Sequence, residues 1–291
     1  MSLPTKFEGW LACPDCRSSL QYSNASFSCL NCHNNYLKKE GKIYFRSLEE
    51  SNKLFSNKIK FKDKDGLIIL LKSFSKKWPK FFLFLYKIAA PFVGKSAEKF
   101  AKEFSGNEIV LNLGSGAKIV REGVVNIDYD AFPSVDIVTD INKLPFRSNS
   151  VDGVICESVF EHLLEPEKTV AEIFRILQPQ GKLYVVTPFM LGYHASPNDY
   201  FRWTEYGMRE LLKDFDLKEI GIAWGPTTAI SSVGGAWLSL IISFGQKTLY
   251  QIWLVFFIFF FAPLNRLDHL LKYHSRAIDN SHGLYFVAIK K

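Results

Sequence analysis

The stretch from Ile109 to Asp128, IVLNLGSGAKIVREGVVNID, constrains this chain more than any other. It opens on an apolar run, Ile109 to Leu113, broken only by Asn112. So short a run, closed by a turn signal, suits a strand covered on both faces. The turn is Gly114-Ser115-Gly116, where glycine permits positive φ and lets a ligand approach the main chain closely. A second apolar run, Gly123 to Ile127, ends on Asp128. An acid at the tip of a second parallel strand can accept hydrogen bonds from both hydroxyls of a ribose. A dinucleotide fingerprint would need G-x-G-x-x-G, a full crossover helix and an acid about 20 residues on. Here Lys118 and Ile119 supply no third glycine, Ala117 to Glu122 is too short for that helix, and Asp128 arrives early. NAD is disfavoured, and another adenosine ligand remains.

Downstream, strand-like runs alternate with helical ones. Val135 to Thr139, Val151 to Cys156, Lys182 to Thr187, Leu217 to Ala223 and Gly283 to Lys290 read as strands. Lys95 to Phe104 reads as a helix leading into the first strand. Pro166 suits the first turn of another, and Val170, Ile173, Phe174 and Leu177 give that helix one apolar face. The alternation predicts an α/β fold with a doubly wound, mainly parallel sheet that binds ligands beyond the carboxyl ends of its strands. Cys156 reads as a small core residue.

The runs VLNLGSG, NIDYD, VDIVTDINKLPF, SVDGVICESVFEHL and EIFRILQPQGKLYVVTPF stand in order from Ile109 to Phe189. On these the chain resembles the class I S-adenosylmethionine-dependent methyltransferases of the type 11 branch. The resemblance implies a seven-stranded sheet whose last strand is antiparallel, and S-adenosylmethionine as methyl donor. It implies donor contacts from Gly114, Ser115, Gly116, Asp128 and Glu157, with Asp140 and Ile141 at the adenine ring. Asn112 departs from the pattern, since many members carry an acid there, and the first helix is shorter than usual.

Cys13-Pro-Asp-Cys16 and Cys29-Leu-Asn-Cys32 form two C-x2-C pairs twelve residues apart. Two such turns can present four thiolates to one structural Zn²⁺, with no position left open for catalysis. His33 adjoins Cys32 too closely to be a good substitute ligand. Leu20, Tyr22 and Phe27 between the pairs read as a small hairpin, and Gly41 to Arg46 as a last strand. The stretch resembles the zinc ribbon of the methyltransferase-activator family and of some rRNA guanine methyltransferases. Met1 to Trp10 does not read as a signal peptide, so a reducing, cytosolic setting and a metal rather than disulfides are expected.

The boundaries expected are 1–46 for the ribbon, 47–95 for a lysine-rich linker with amphipathic and apolar helices, and 96–291 for the methyltransferase domain. Gly66 to Lys95 mixes Leu, Phe and Trp with Lys72, Lys76, Lys77, Lys80 and Lys87, and Pro79 and Pro91 divide it. That pattern fits a helix lying in a membrane interface or one packed on the protein's own core. A hydrophobic helical insertion, 226–280, separates the last two strands where a short hairpin is normal. Leu249 to Leu264 as a helix would be about 24 Å long, short of the about 30 Å hydrocarbon core. Both its ends return to one sheet edge, which excludes a single crossing. A hairpin dipping into one leaflet, a re-entrant hairpin and a cap over the site remain.

The loop FMLGYHASPNDYFRWTEYGM leaves the sheet on the ligand side. His194, Asp199, Tyr200, Arg202 and Trp203 are placed to face an acceptor. Glu161 and His162 form a second candidate pair. His194, Asp199 and His162 are the candidate catalytic residues; a base is needed only where the accepting atom carries a proton. Thr204 reads as a helix N-cap.

The net charge of +7 and pI near 9.0 point to an anionic partner, a membrane surface or nucleic acid. The expectation is a methyltransferase peripheral or monotopic at the inner membrane surface. Its acceptor would be a small molecule or lipid-linked, such as a glycolipid, polyprenyl-linked sugar or quinone. An RNA methyltransferase gripping RNA through its ribbon, and a non-catalytic interaction module, are the alternatives.

Overall fold

The computed structural model describes residues 9–23, 26–45, 78, 84–85, 87–194 and 198–291. Most of the lysine-rich linker, including Lys72, Lys76, Lys77 and Lys80, lies outside the described residues.

Eleven strands form one sheet. Its N-terminal part holds β1 (Leu20–Ser23), β2 (Ser26–Cys29), β3 (Asn35–Lys39) and β4 (Lys42–Tyr44), an antiparallel meander. The larger part holds β5 (Val110–Leu113), β6 (Val125–Asp128), β7 (Ile137–Val138), β8 (Val151–Glu157), β9 (Leu177–Pro188), β10 (Phe215–Trp224) and β11 (Gly283–Lys290). The order is β1-β2-β3-β4-β7-β6-β5-β8-β9-β11-β10. Strands β7, β6, β5, β8 and β9 run parallel, and β11 lies antiparallel between β9 and β10. The order reverses between β5 and β8, where a doubly wound sheet opens its ligand crevice.

The meander continues this sheet: β4 pairs parallel with β7, Ile43 opposite Ile137 and Tyr44 opposite Val138. Leu11, Phe27, Tyr36, Ile43 and Phe45 share one buried cluster with Leu111, Ile127 and Ile137. The physical reason is the free edge of β7. An unpaired parallel edge must be covered, and β4 supplies its missing hydrogen bonds.

Helix α1 (Ala97–Ala101) is shorter than the expected Lys95 to Phe104; Ser96 caps it by accepting from the Lys99 amide. Helix α2 (Pro166–Ile176) starts on its proline, and α3 (Glu205–Leu211) starts after Thr204, whose hydroxyl accepts from the Gly207 amide. No helix forms between β5 and β6, as the short 117–122 stretch requires. Between β10 and β11 the chain builds α4 (Pro226–Ile242), α5 (Lys247–Phe261) and α6 (Asp268–Leu271). Asp268 is fully buried and caps α4 from forty residues away, accepting from the amides of Thr227 and Thr228 at 2.7 and 3.0 Å. Gly225 leaves room for it, since a Cβ there would stand 2.4 Å from the carboxyl carbon.

Candidate donor and acceptor site

The glycine loop leaves β5 with Gly114 and Gly116 at φ +65° and +54°. A Cβ on Gly114 would also stand 2.5 Å from a Val159 methyl, whereas Gly116 faces open space. The loop is tied to the tip of β6. The Gly116 amide donates to Asp128 Oδ2 at 2.8 Å, the Asp130 amide to Oδ1 at 2.8 Å, and the Ser115 amide to the Ile127 carbonyl at 3.1 Å. Asp128 is thereby fixed at the carboxyl end of the second parallel strand. Ser115 Oγ is buried with no hydrogen-bond partner among the described residues.

Asn112 is buried and donates to Asn126 Oδ1 at 3.1 Å, so it ties β5 to β6 below the loop. Asp140 and Ile141 follow β7. Asp140 is exposed and accepts from the Asn142 amide at 2.9 Å, while Ile141 is half-buried against the main core. Glu157 ends β8 and pairs with Lys118, which also reaches Glu98 at 3.4 Å. Burial pushes the Glu157 carboxyl above its ordinary range, and Lys118 only partly offsets this. Lys118 was not legible as a site residue, because its partner lies 39 positions on. Cys156, beside Glu157, is fully buried and its thiol is pushed far up by burial, which fits a core residue.

The acceptor-side residues converge on the turn after β8. Phe160 to His162 form one helical turn, and the Glu161 carbonyl accepts the amides of Tyr200 and Phe201 at 2.7 and 3.3 Å. That pins the loop after β9 over the turn and brings His194 beside His162, ring centroids 4.9 Å apart. Asp199 points inward. It accepts from Arg202 at 2.5 and 2.6 Å and from the His194 amide at 2.7 Å. Burial alone would raise the Asp199 carboxyl, but the hydrogen bonds from Arg202 and His194 hold it below its ordinary value. Asp199 therefore serves to hold the loop's shape. His282, which sequence reasoning did not single out, is buried just before β11, and burial pushes its imidazole down to about 4.

In the N-terminal meander the four cysteine sulfurs lie within 4.8 Å of one another, and all four are free thiols. Cys13 Sγ is 3.6 Å from Cys32 Sγ, and Cys16 Sγ is 3.3 Å from Cys29 Sγ. Zn–S bonds of about 2.3 Å in a tetrahedron put sulfurs about 3.8 Å apart, so the set fits a tetrathiolate ion after small adjustments. A cavity of about 570 Å³ opens elsewhere, lined by Gly94, Lys95, Glu219, Lys272 and Tyr285. It has no donor-loop residue in its walls. The chemistry of Asp128 and the glycine loop outweighs cavity size in locating the site.

Residues 94–185 match the family model described as a methyltransferase domain. A probable S-adenosylmethionine-dependent methyltransferase of Mycolicibacterium smegmatis is 35% identical over 116 residues, covering 34% of this chain and 45% of the relative. A demethylmenaquinone methyltransferase of Renibacterium salmoninarum is 32% identical over 97 residues, covering 31% of this chain and 37% of the relative. The chain spans less than half the length of these curated relatives. Among solved structures, a putative methyltransferase from Bacillus halodurans aligns over 66% of this chain and 96% of its own, at 16% identity and a TM-score of 0.42. Residues 94–185 thus share the methyltransferase-domain pattern found in these relatives.

Proposed function

We propose that the chain transfers the methyl group of S-adenosylmethionine to a lipid-linked or membrane-made acceptor at a membrane surface. The observation that carries the donor half is Asp128, held at the tip of β6 by the glycine loop's own amide, where it can accept both ribose hydroxyls. Asp140 and Ile141 then border the adenine, and Glu157 the cationic end of the donor. The cysteine set holds a structural zinc that fixes the meander against β7.

The membrane half rests on α4 and α5. No single helix among the described residues is long and apolar enough to cross a bilayer. The two helices pair as a hairpin, yet Trp237, Leu240, Ile241, Phe244, Phe256 and Phe260 remain exposed. Exposed apolar surface of that extent marks a contact with a membrane or a partner. Helices of 17 and 15 residues, about 25 and 22 Å long, suit a hairpin resting in one leaflet. A quinone head group is a fitting acceptor, as the name of the Renibacterium relative indicates for that protein.

The test has two arms. Calorimetric titration with S-adenosylhomocysteine should show binding that Asp128→Ala abolishes. Flotation with anionic vesicles should carry the protein upward, and replacing Trp237, Ile241 and Phe244 together by Ser should reduce that binding at least about 100-fold. Each such side chain contributes about 1.5–3 kcal/mol when buried. No binding of S-adenosylhomocysteine to the intact protein would refute the donor reading. Failure to float at low salt would refute the membrane reading.

A further inference from the structure

Glu161 is fully buried, and neither of its carboxylate oxygens has a hydrogen-bond partner among the described residues. An isolated buried carboxylate is costly and must be protonated or meet a cation. Two histidines face it: His162 Nε2 lies 3.7 Å from Glu161 Oε1, and His194 Nε2 lies 3.6 Å from the same oxygen. These gaps are too wide for hydrogen bonds.

His162 is fixed in a defined tautomer. Its Nδ1 lies 2.5 Å from the Asn198 carbonyl, which can only accept, so Nδ1 carries the hydrogen. In the neutral ring Nε2 then presents a lone pair toward a carboxylate that also presents lone pairs. A cation between them reconciles the two. A carbonyl holding the far nitrogen is also how proteins orient a metal-bound histidine. Donor atoms from all three side chains lie within 4.8 Å of one another. Bonds of about 2.0–2.2 Å from N and O to a tetrahedral ion put neighbouring ligand atoms about 3.4 Å apart, close to the observed 3.6 and 3.7 Å.

We propose that Glu161, His162 and His194 bind a divalent transition-metal ion, separate from the tetracysteine set. Two imidazoles and one carboxylate select borderline ions such as Zn²⁺, Fe²⁺ or Co²⁺ over Mg²⁺. Three protein ligands leave coordination positions free for a substrate oxygen. The half-exposed His194 gives access from the acceptor side. Resting on the methyltransferase reading, the ion's use is to bind an acceptor hydroxyl and lower its pKa. The hydroxyl proton leaves to solvent, the oxygen's electron pair forms the O–CH₃ bond, and the C–S bond breaks with its pair going to sulfur. The products are a methyl ether and S-adenosylhomocysteine.

The experiment is a Co²⁺ titration of the full chain with zinc already loaded in the cysteine set, after chelator dialysis. Bound cobalt is counted by elemental analysis and followed by visible absorption. The wild type should take up one cobalt with d–d bands and no thiolate charge-transfer band. Glu161→Gln and His194→Gln should each weaken that uptake at least about 100-fold, beyond the 10–100-fold typical of losing an outer-shell partner. Unchanged melting temperatures and S-adenosylhomocysteine affinity would show that both variants are folded. Equal cobalt uptake by wild type and variants, or no uptake by the wild type, overturns the proposal. Metal uptake without donor binding would leave the metal site standing and remove the methyltransferase reading.

Discussion

Arg17, in the cysteine-bearing meander, grips Glu172, on helix α2 beside the larger part of the sheet, through two parallel hydrogen bonds of 2.8 and 2.7 Å. Glu172 also receives Arg175 at 3.0 Å and the Leu144 amide at 3.1 Å. With the β4–β7 pairing, this makes the meander a structural part of the domain.

Glu172→Gln should lower stability at neutral pH by about 1–2 kcal/mol, discounted because Arg17 is 40% exposed. Burial alone would raise the Glu172 carboxyl, but hydrogen bonds from Arg175 and Arg17, and their charges, hold it below its ordinary 4.5. A depressed carboxyl contributes stability that is present above 4.5 and lost as pH falls through the lower folded value. The gap between wild type and variant in denaturant midpoint should therefore close on acidification below 4.5. A gap that is constant with pH would show that the pair carries no net charge energy.

Gly114→Ala should weaken donor binding while leaving the rest of the fold intact. The added methyl meets Val159 at 2.5 Å and the residue sits at φ +65°. Backbone strain and overpacking each cost about 1–3 kcal/mol, so affinity for S-adenosylhomocysteine should drop at least about thirty-fold. Gly116→Ala meets no atom within 4 Å and should cost less. Calorimetry on both variants checks the ranking, and a reversed order would place the donor elsewhere.

Donor affinity should depend on the ionisation of Glu157. Its carboxyl is pushed above 4.5 by burial, pulled back by Lys118 and raised again by Glu98. Protonation as pH falls through this raised value removes a negative charge, so S-adenosylmethionine, a sulfonium cation, should then bind more weakly. S-adenosylhomocysteine lacks the sulfonium charge and should respond less. Glu157→Gln should bind more weakly at neutral pH and lose the pH dependence. Parallel pH profiles for wild type and variant would assign Glu157 no part in donor binding.

The local chemistry of this chain was legible in its residues. The Gly114-Ser115-Gly116 turn, the early Asp128, the two C-x2-C pairs, the Thr204 cap and the proline start of α2 are short-range signals, and each sits where its spacing requires. The last strand occupies Gly283–Lys290, as its apolar run predicts. The sequence by itself therefore determined the strand and turn pattern.

What tertiary structure decided are relationships between residues far apart in the chain. Parallel pairing of β4 with β7 joins segments separated by more than ninety positions, and no local pattern encodes it. Lys118 meets Glu157, Asp268 caps α4, and His194 comes to face Glu161 only because the sheet brings their loops together. Asp199, one of the candidate catalytic residues, accepts from Arg202. The physical reason is the same throughout: residue type and spacing set what a side chain can do, while burial and the partner across the fold set which of those things it does.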